Sequence, residues 1–374
     1  MGDLVLLAVL CASMVYCILT VLAVARYRSV RPRPPAVYPP ISVLKPLSGV
    51  EDGLEDNLRT FFDQEYPAFE ILFAVRESCD PAVAVVERLQ AQFPLVPARL
   101  IVTGEPPYAN AKVYSLERML ADAAHDLLVM ADSDTRVTPE MLRTLAAEFA
   151  DPAVGLVTCP YRAVAGRSFW SVLEAVGLNT EFISGVLVAR MLDGMKFALG
   201  PTIAARREVL ARIGAFDAVK NYLAEDFVMG KLAAKSGARV ILSSYVIEHR
   251  IGSQPLAANV KHRLRWCRST RRSRPFGYAG QLFTNPVPLA LALLVARPEW
   301  WPAAAAAVIL RALAGWATVE HVLHDRYTRR RWWLVPLQDL MQFAVWAGGF
   351  FGNTIQWRGR KYYLLADGRF EPLQ

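Results

Sequence analysis

The sequence is short of the residues that build metal fingers and disulfide frameworks. Five cysteines in 374 residues, Cys11, Cys17, Cys79, Cys159 and Cys267, form no CxxC pair and no regular spacing, which excludes both. Cys11 and Cys17 sit in an apolar run as small hydrophobes, and the rest read as reduced thiols on a cytoplasmic side. No helix-turn-helix, zinc-finger or RNA-binding motif accompanies the net charge of +8. The basic excess therefore points away from nucleic acid and toward anionic lipid or phosphorylated substrates. Charge is scarce too, at 20% against 54% hydrophobic residues, too apolar a balance for a purely soluble protein. No repeat and no low-complexity segment is present.

What is present is apolar sequence gathered at the two ends. Leu4–Ala25 carries no charge and is long enough to span a bilayer as a helix. Asp3 precedes it, and Arg26, Arg28, Arg31 and Arg33 follow it. A cleaved signal peptide has the opposite order, so residues 1–26 read as an uncleaved anchor. The arginines put the following domain in the cytoplasm. Residues 27–40 include RPRPPAVYPP, an extended, semi-rigid tether.

Residues 41–255 alternate strand and helix patterns. ISVLKP, EILFAVRE, ARLIVTG, LLVMADSD, VGLVTCPYR and ARVILSS read as strands, and Pro81–Phe93 and Val113–Ala124 as helices. Such alternation predicts an α/β domain with a mainly parallel sheet covered by helices, its functional residues at the carboxyl ends of strands.

Residues 256–282 hold a basic helix suited to an anionic membrane surface, with Val260, Leu264 and Cys267 as its expected buried stripe. Three apolar stretches fill 283–356: Phe283–Ala296, Pro302–Leu323 and Trp333–Ile355. The first contains two prolines and reads as re-entrant or tilted. Residues 357–374 are a basic tail. The whole reads as a multi-pass protein of a cell inner membrane.

Chemistry concentrates at four places. In LLVMADSD an apolar strand runs into Asp132 and Asp134, placed to share one Mg²⁺ or Mn²⁺ with substrate phosphates. Asp80 follows a strand and precedes Pro81; it reads equally as a helix cap and as a contact to a donor base. Glu225–Asp226 precede a helical run, and Asp226 is the candidate base, with a helix-start dipole expected to keep it ionised. In HRLRW, Arg265 suits diphosphate oxygens, Trp266 offers a flat face to a sugar or a lipid chain, and His262 opens the motif. Lys112, in a loop before a helix, reads as a donor-phosphate contact or a solvated lysine. Glu51, Asp52, Glu55 and Asp56 read as a solvated helix start.

Asp80 in SCDPAVAV, Asp132 in ADSDTRV, Asp226 in LAEDFVM and Arg265–Trp266 in HRLRW stand in an order that resembles the D, D, D, (Q/R)xxRW signature of the ceramide glucosyltransferase family. The bacterial hopanoid-biosynthesis glycosyltransferases are a close branch. Similarity covers residues 41–280, with matching membrane segments on either side. The resemblance implies a GT-A fold, a UDP-sugar donor of glucose or N-acetylglucosamine, a divalent metal, inversion at the anomeric carbon and a membrane lipid acceptor. It implies a nucleotide contact for Asp80, a metal and diphosphate contact for Asp132, and the role of base for Asp226. His262 departs from the family's Gln or Arg. Two rival readings are a processive polysaccharide synthase, for which three short C-terminal stretches are few, and a non-catalytic membrane scaffold, which the retained aspartates disfavour.

Overall fold

The computed structural model describes residues 2–373 except 31, 33, 36 and 358. Arg31 and Arg33 of the expected basic flank thus lie outside the described residues. Thirteen strands are described: β1 Ile41–Pro46, β2 Phe69–Val75, β3 Ala98–Val102, β4 Leu127–Ala131, β5 Thr135–Arg136, β6 Val154–Thr158, β7 Tyr161–Val164, β8 Thr202–Arg206, β9 Arg239–Leu242, β10 Ile247–Arg250, β11 Thr354–Trp357, β12 Arg360–Leu364 and β13 Phe370–Pro372.

Seven of them form the central sheet in the order β3-β2-β1-β4-β8-β6-β9. β1, β2 and β4 are nearly continuous apolar runs, buried along almost their whole length, as central strands covered on both faces require. β2–β1–β4 pair in parallel, so the chain ends all three on one edge of the sheet. Asp80 and the Asp132–Asp134 pair therefore follow strands that finish on the same side. β8 runs antiparallel to both its neighbours. The sequence reading lacked this strand: TIAAR is short and follows no alternation, and its place is set by its neighbours.

A second sheet, β5-β10-β7, lies beyond the end of β4. β10 pairs with β5 through His249↔Thr135 and with β7 through His249↔Ala163. His249 is thereby carried to the carboxylates that follow β4. The third sheet, β11-β12-β13, is antiparallel. It rests on the α/β domain, where Phe370 N–H donates to Asn221 O at 3.0 Å and Tyr222 bridges Arg369.

Three described helices are long and apolar enough to cross a membrane: Gly2–Arg28, Phe169–Asp193 and Pro298–Leu323. A bent pair, Pro275–Thr284 with Pro286–Ala296 at 60°, is a candidate fourth, in keeping with the two prolines read there. Phe169–Asp193 had no counterpart in the sequence reading. Most of its apolar stretch is buried inside the protein, and it packs against the helices Gly2–Arg28 and Trp301–Thr318. The stretch Trp333–Ile355 does not run through as one element. Its helix covers only Val335–Gly349, and Ile355 is a buried residue of β11.

The basic helix Leu256–Ser273 buries Cys267 as expected, but together with Asn259, Arg263 and Ser269 rather than with Val260 and Leu264. The N-terminal part of the inner face is polar: Asn259 Nδ2 donates to Glu174 Oε2 and Arg263 Nη2 donates to Gln338 Oε1 at 2.6 Å. Each of these side chains thus gains one hydrogen bond on burial, which an apolar pattern cannot reveal.

Candidate active site

A cleft of about 720 Å³ opens at the carboxyl edge of the sheet. Lys112, Asp132, Asp134, Asp226, His262, Arg265 and Trp266 all line it. The structure thus brings together every predicted site residue but Asp80, which is absent from the described lining. Asp80 accepts from Ala82 N at 2.9 Å and from Gly49 N at 3.0 Å. It holds the first N–H of the helix Ala82–Gln92 and ties the loop after β1 to the loop after β2.

Lys112 is not in a loop. It is the second residue of the helix Ala111–Asp122, whose cap Asn110 accepts from Val113 N. Its Nζ lies 2.7 Å from Asp132 Oδ1 and 3.0 Å from Glu225 Oε1. Despite burial, which works the other way, these carboxylates raise its pKa and so favour the charged ammonium. Burial raises the pKa of Asp132, and Lys112 only partly counters it.

Asp134 behaves differently. Burial pushes its pKa up, but His249 beside it, at 3.1 Å from Nε2 to Oδ2, holds it below the ordinary value. His249 in turn is held above its ordinary value, because Asp134 outweighs the burial of the ring. Asp134 Oδ1 and His249 Nδ1 are buried without a hydrogen-bond partner. An orphaned carboxylate oxygen beside a second carboxylate fits a hard divalent cation. Among the described residues no group of three or more acidic, histidine or cysteine side chains is gathered as a ready cage.

Asp226 and Glu225 open the helix Glu225–Lys235. Burial and the adjacent Glu225 carboxylate push Asp226 up to about 7, against the pull of Lys112. The helix-start dipole expected to keep it ionised is overridden. A Cβ at position 200 would fall 2.9 Å from Asp226 Oδ2, so Gly200 makes room for the carboxylate.

Several contributors escaped the sequence reading. Lys45 is fully buried at the end of β1, donating to Asp132 O at 2.5 Å and to Thr135 Oγ1 at 3.1 Å, over the Phe61 ring. Burial lowers its pKa to about 7. A lysine inside an apolar strand is the signal that marked it. Glu174 accepts from Asn259 and lies 3.1 Å from His262 Nδ1. A lone acid in the apolar run FWSVLEAVG was likewise visible. Glu51 and Asp52, read as solvated, line the cleft, and Ser133 Oγ donates to Glu51 at 3.2 Å. Glu55 and Asp56 pair outward with Arg88 and Arg136. Trp357, from β11, completes one wall.

The profile of glycosyl transferase family 21 matches residues 5–370. The chain belongs to that family. This family 21 chain is 22% identical over 343 residues to ceramide glucosyltransferase 3 of Caenorhabditis elegans, covering 89% of the chain and 74% of the relative. It is 26% identical over 214 residues to ceramide glucosyltransferase 1 of the same organism, covering 57% of the chain and 46% of that relative. Among solved structures, the mannosyltransferase PcManGT from Pyrobaculum calidifontis, in complex with GDP-Man and Mn²⁺, superposes with a TM-score of 0.55 at 20% identity. The match covers 94% of the chain and 99% of that structure. The family 21 fold is therefore the α/β fold of GT-A type expected from the sequence, and the kinship with ceramide glucosyltransferases stands.

Proposed function

We propose that this glycosyltransferase moves a hexose from a UDP-sugar to a hydroxyl of a membrane lipid, ceramide-like or hopanoid, with inversion and with Asp226 as base. The observation that carries this reading is one cleft. It holds Asp132 and Asp134 in the turn between β4 and β5 and Asp226 at the start of a helix, together with Arg265 and Trp266 of the basic helix, in a chain with helices apolar enough for a bilayer.

In this reading the acceptor oxygen attacks the anomeric carbon. Its proton passes to an Asp226 oxygen, the bond from that carbon to the diphosphate oxygen breaks, and UDP leaves. A carboxylate with a pKa near 7 is a far better proton acceptor than one near 4, provided it is deprotonated when the acceptor arrives. Asp132 and Asp134, with His249 behind Asp134, would hold Mg²⁺ or Mn²⁺. The ion would supply positive charge to the leaving diphosphate. Lys112 and Arg265 add fixed positive charge, and guanidinium geometry matches two phosphate oxygens at once. Asp80 acts from a distance in this scheme, fixing the loop after β1 from which Glu51 and Asp52 reach the cleft. The catalytic domain faces the cytoplasm and the chain crosses the inner membrane more than once, as the arginines after the first span support.

Mass spectrometry of lipids made by the purified protein from UDP-glucose or UDP-N-acetylglucosamine tests this. One hexose on a lipid is the expected product. A polymer would favour a processive synthase instead, and release of free hexose alone would refute the lipid acceptor.

A further inference from the structure

A second cavity lies beside the catalytic cleft, with a volume of about 980 Å³. It runs between the segment 165–172, which opens the long internal helix, and the segment 327–334, which precedes the helix Val335–Gly349. Asp52, Arg250 and Ser253 line both cavities, so the two adjoin at these residues. The sill between them is tightly built: Gly166 N–H donates to Gly252 O at 2.9 Å and Arg167 N–H donates to Ser253 Oγ at 2.7 Å. A Cβ at position 166 would fall 2.2 Å from Ser253 Oγ, so only glycine permits this closure.

The far mouth of the groove has different chemistry. Phe169 and Trp333 stand 45% and 71% exposed at its lips, and Val172 and Leu334 line it behind them. Leu334 belongs to an apolar cluster with Leu173, Val176 and Val335 that continues into the helix bundle. Arg331 lies over the Tyr327 ring, 3.5 Å from its centroid. Exposed tryptophan and phenylalanine beside arginines at the ends of apolar helices mark the level of a bilayer's headgroups. One end of the groove thus has the composition of a bilayer interface, and the other meets the cleft that holds Asp226 at Asp52, Arg250 and Ser253.

We propose that this groove is the path by which the acceptor lipid reaches the base. The lipid's chains lie along Phe169, Val172, Trp333 and Leu334. Its hydroxyl-bearing head crosses the Gly252–Ser253 sill into the cleft. This deepens the lipid-acceptor reading above and rests on it. A volume of this size holds the head and upper chains of a lipid, whereas a soluble acceptor needs no apolar lip.

The test uses Phe169→Asp and Trp333→Asp in the full-length protein; both residues are surface-exposed, so folding is expected to survive. Three rates are compared: transfer to long-chain ceramide in phosphatidylcholine vesicles, transfer to a short-chain ceramide in detergent, and UDP-sugar hydrolysis without lipid. The expected result is a KM for long-chain ceramide raised about tenfold or more. The other two rates should stay near wild type. Equal loss on both ceramides, or no loss on either, overturns the path. A wild-type protein that hydrolyses donor but glycosylates neither ceramide overturns the ceramide reading and the path with it. As a second readout, a ceramide carrying a diazirine on its chain should label segments 165–172 and 327–334. Labelling there by a diazirine phosphatidylglycerol in preference to ceramide would make the groove a phospholipid site and refute the proposal.

Discussion

His262 Nδ1 lies 3.1 Å from Glu174 Oε1, so a carboxylate buried in the internal helix sets the orientation of the first residue of HRLRW. Glu174 is 3% exposed, and the pair lies 88 positions apart in sequence. With Nδ1 engaged, the ring's other nitrogen is left for the cleft it lines. Glu174→Gln keeps a hydrogen-bond acceptor but loses the charge, and should lower kcat/KM by about tenfold, the worth of one charge-assisted hydrogen bond. His262→Gln, which supplies the residue seen in the related motif, should retain more activity than His262→Ala. Steady-state kinetics of the three variants checks the order.

The base assignment makes a pH prediction. Asp226 is pushed up to about 7 by burial and by Glu225. Its deprotonated, active form therefore grows as pH rises through about 7, and transfer should rise over the same window. Asp226→Asn should cut single-turnover transfer on the order of a hundredfold or more while donor affinity stays near normal. Retained transfer in Asp226→Asn together with its loss in Glu225→Gln would move the role to Glu225.

Asp132→Asn and Asp134→Asn should each remove nearly all turnover, and excess chelator should do the same to the unaltered protein. Isothermal titration of Mn²⁺ in the presence of UDP separates lost cation binding from a misfolded domain. Full activity in chelator would eliminate a metal role for the pair.

Arg311 and Asp339 form an ion pair of 2.7 Å between two helices of the apolar half, 4% and 0% exposed at their side chains. Arg311 also donates to Thr180 O and Oγ1. Arg311→Met leaves a buried carboxylate unmatched and should cost about 3–5 kcal/mol, whereas Arg311→Met with Asp339→Leu should cost markedly less. Thermal unfolding in detergent reads the difference.

The contacts of β11–β13 with the catalytic domain predict topology. A protease site inserted after residue 366 and one inserted within residues 77–80 should be cut from the same side of sealed vesicles. With the catalytic domain cytoplasmic, both survive protease added to intact cells. Cleavage of only one would detach the third sheet from the domain.

The parts of the site legible in sequence were those with a local cause. LLVMADSD announces a buried strand delivering carboxylates, and LAEDFVM announces a helix start with two acids. HRLRW carries its arginine and tryptophan within one turn of helix. His249 meets Asp134 across 115 positions, through the pairing of β10 with β5, and no local pattern encodes that meeting. Lys45 and Glu174 did leave a mark, a charge inside an apolar run, but the mark names no partner. The Asn259–Arg263 face of the basic helix was misread because polar side chains with distant partners, Glu174 and Gln338, fill it. The third sheet was hidden because an apolar run ending in Ile355 looks alike whether it enters lipid or a small β-sheet.

Trp357 is one wall of the catalytic cleft, and it is held there by strands that finish at Pro372. These strands follow the described apolar helices along the chain, while Asp132 and Asp226 precede most of them. One contributor to the cleft is thus made long after the carboxylates it faces, and the cleft gains its Trp357 indole only when residues far apart in synthesis have met.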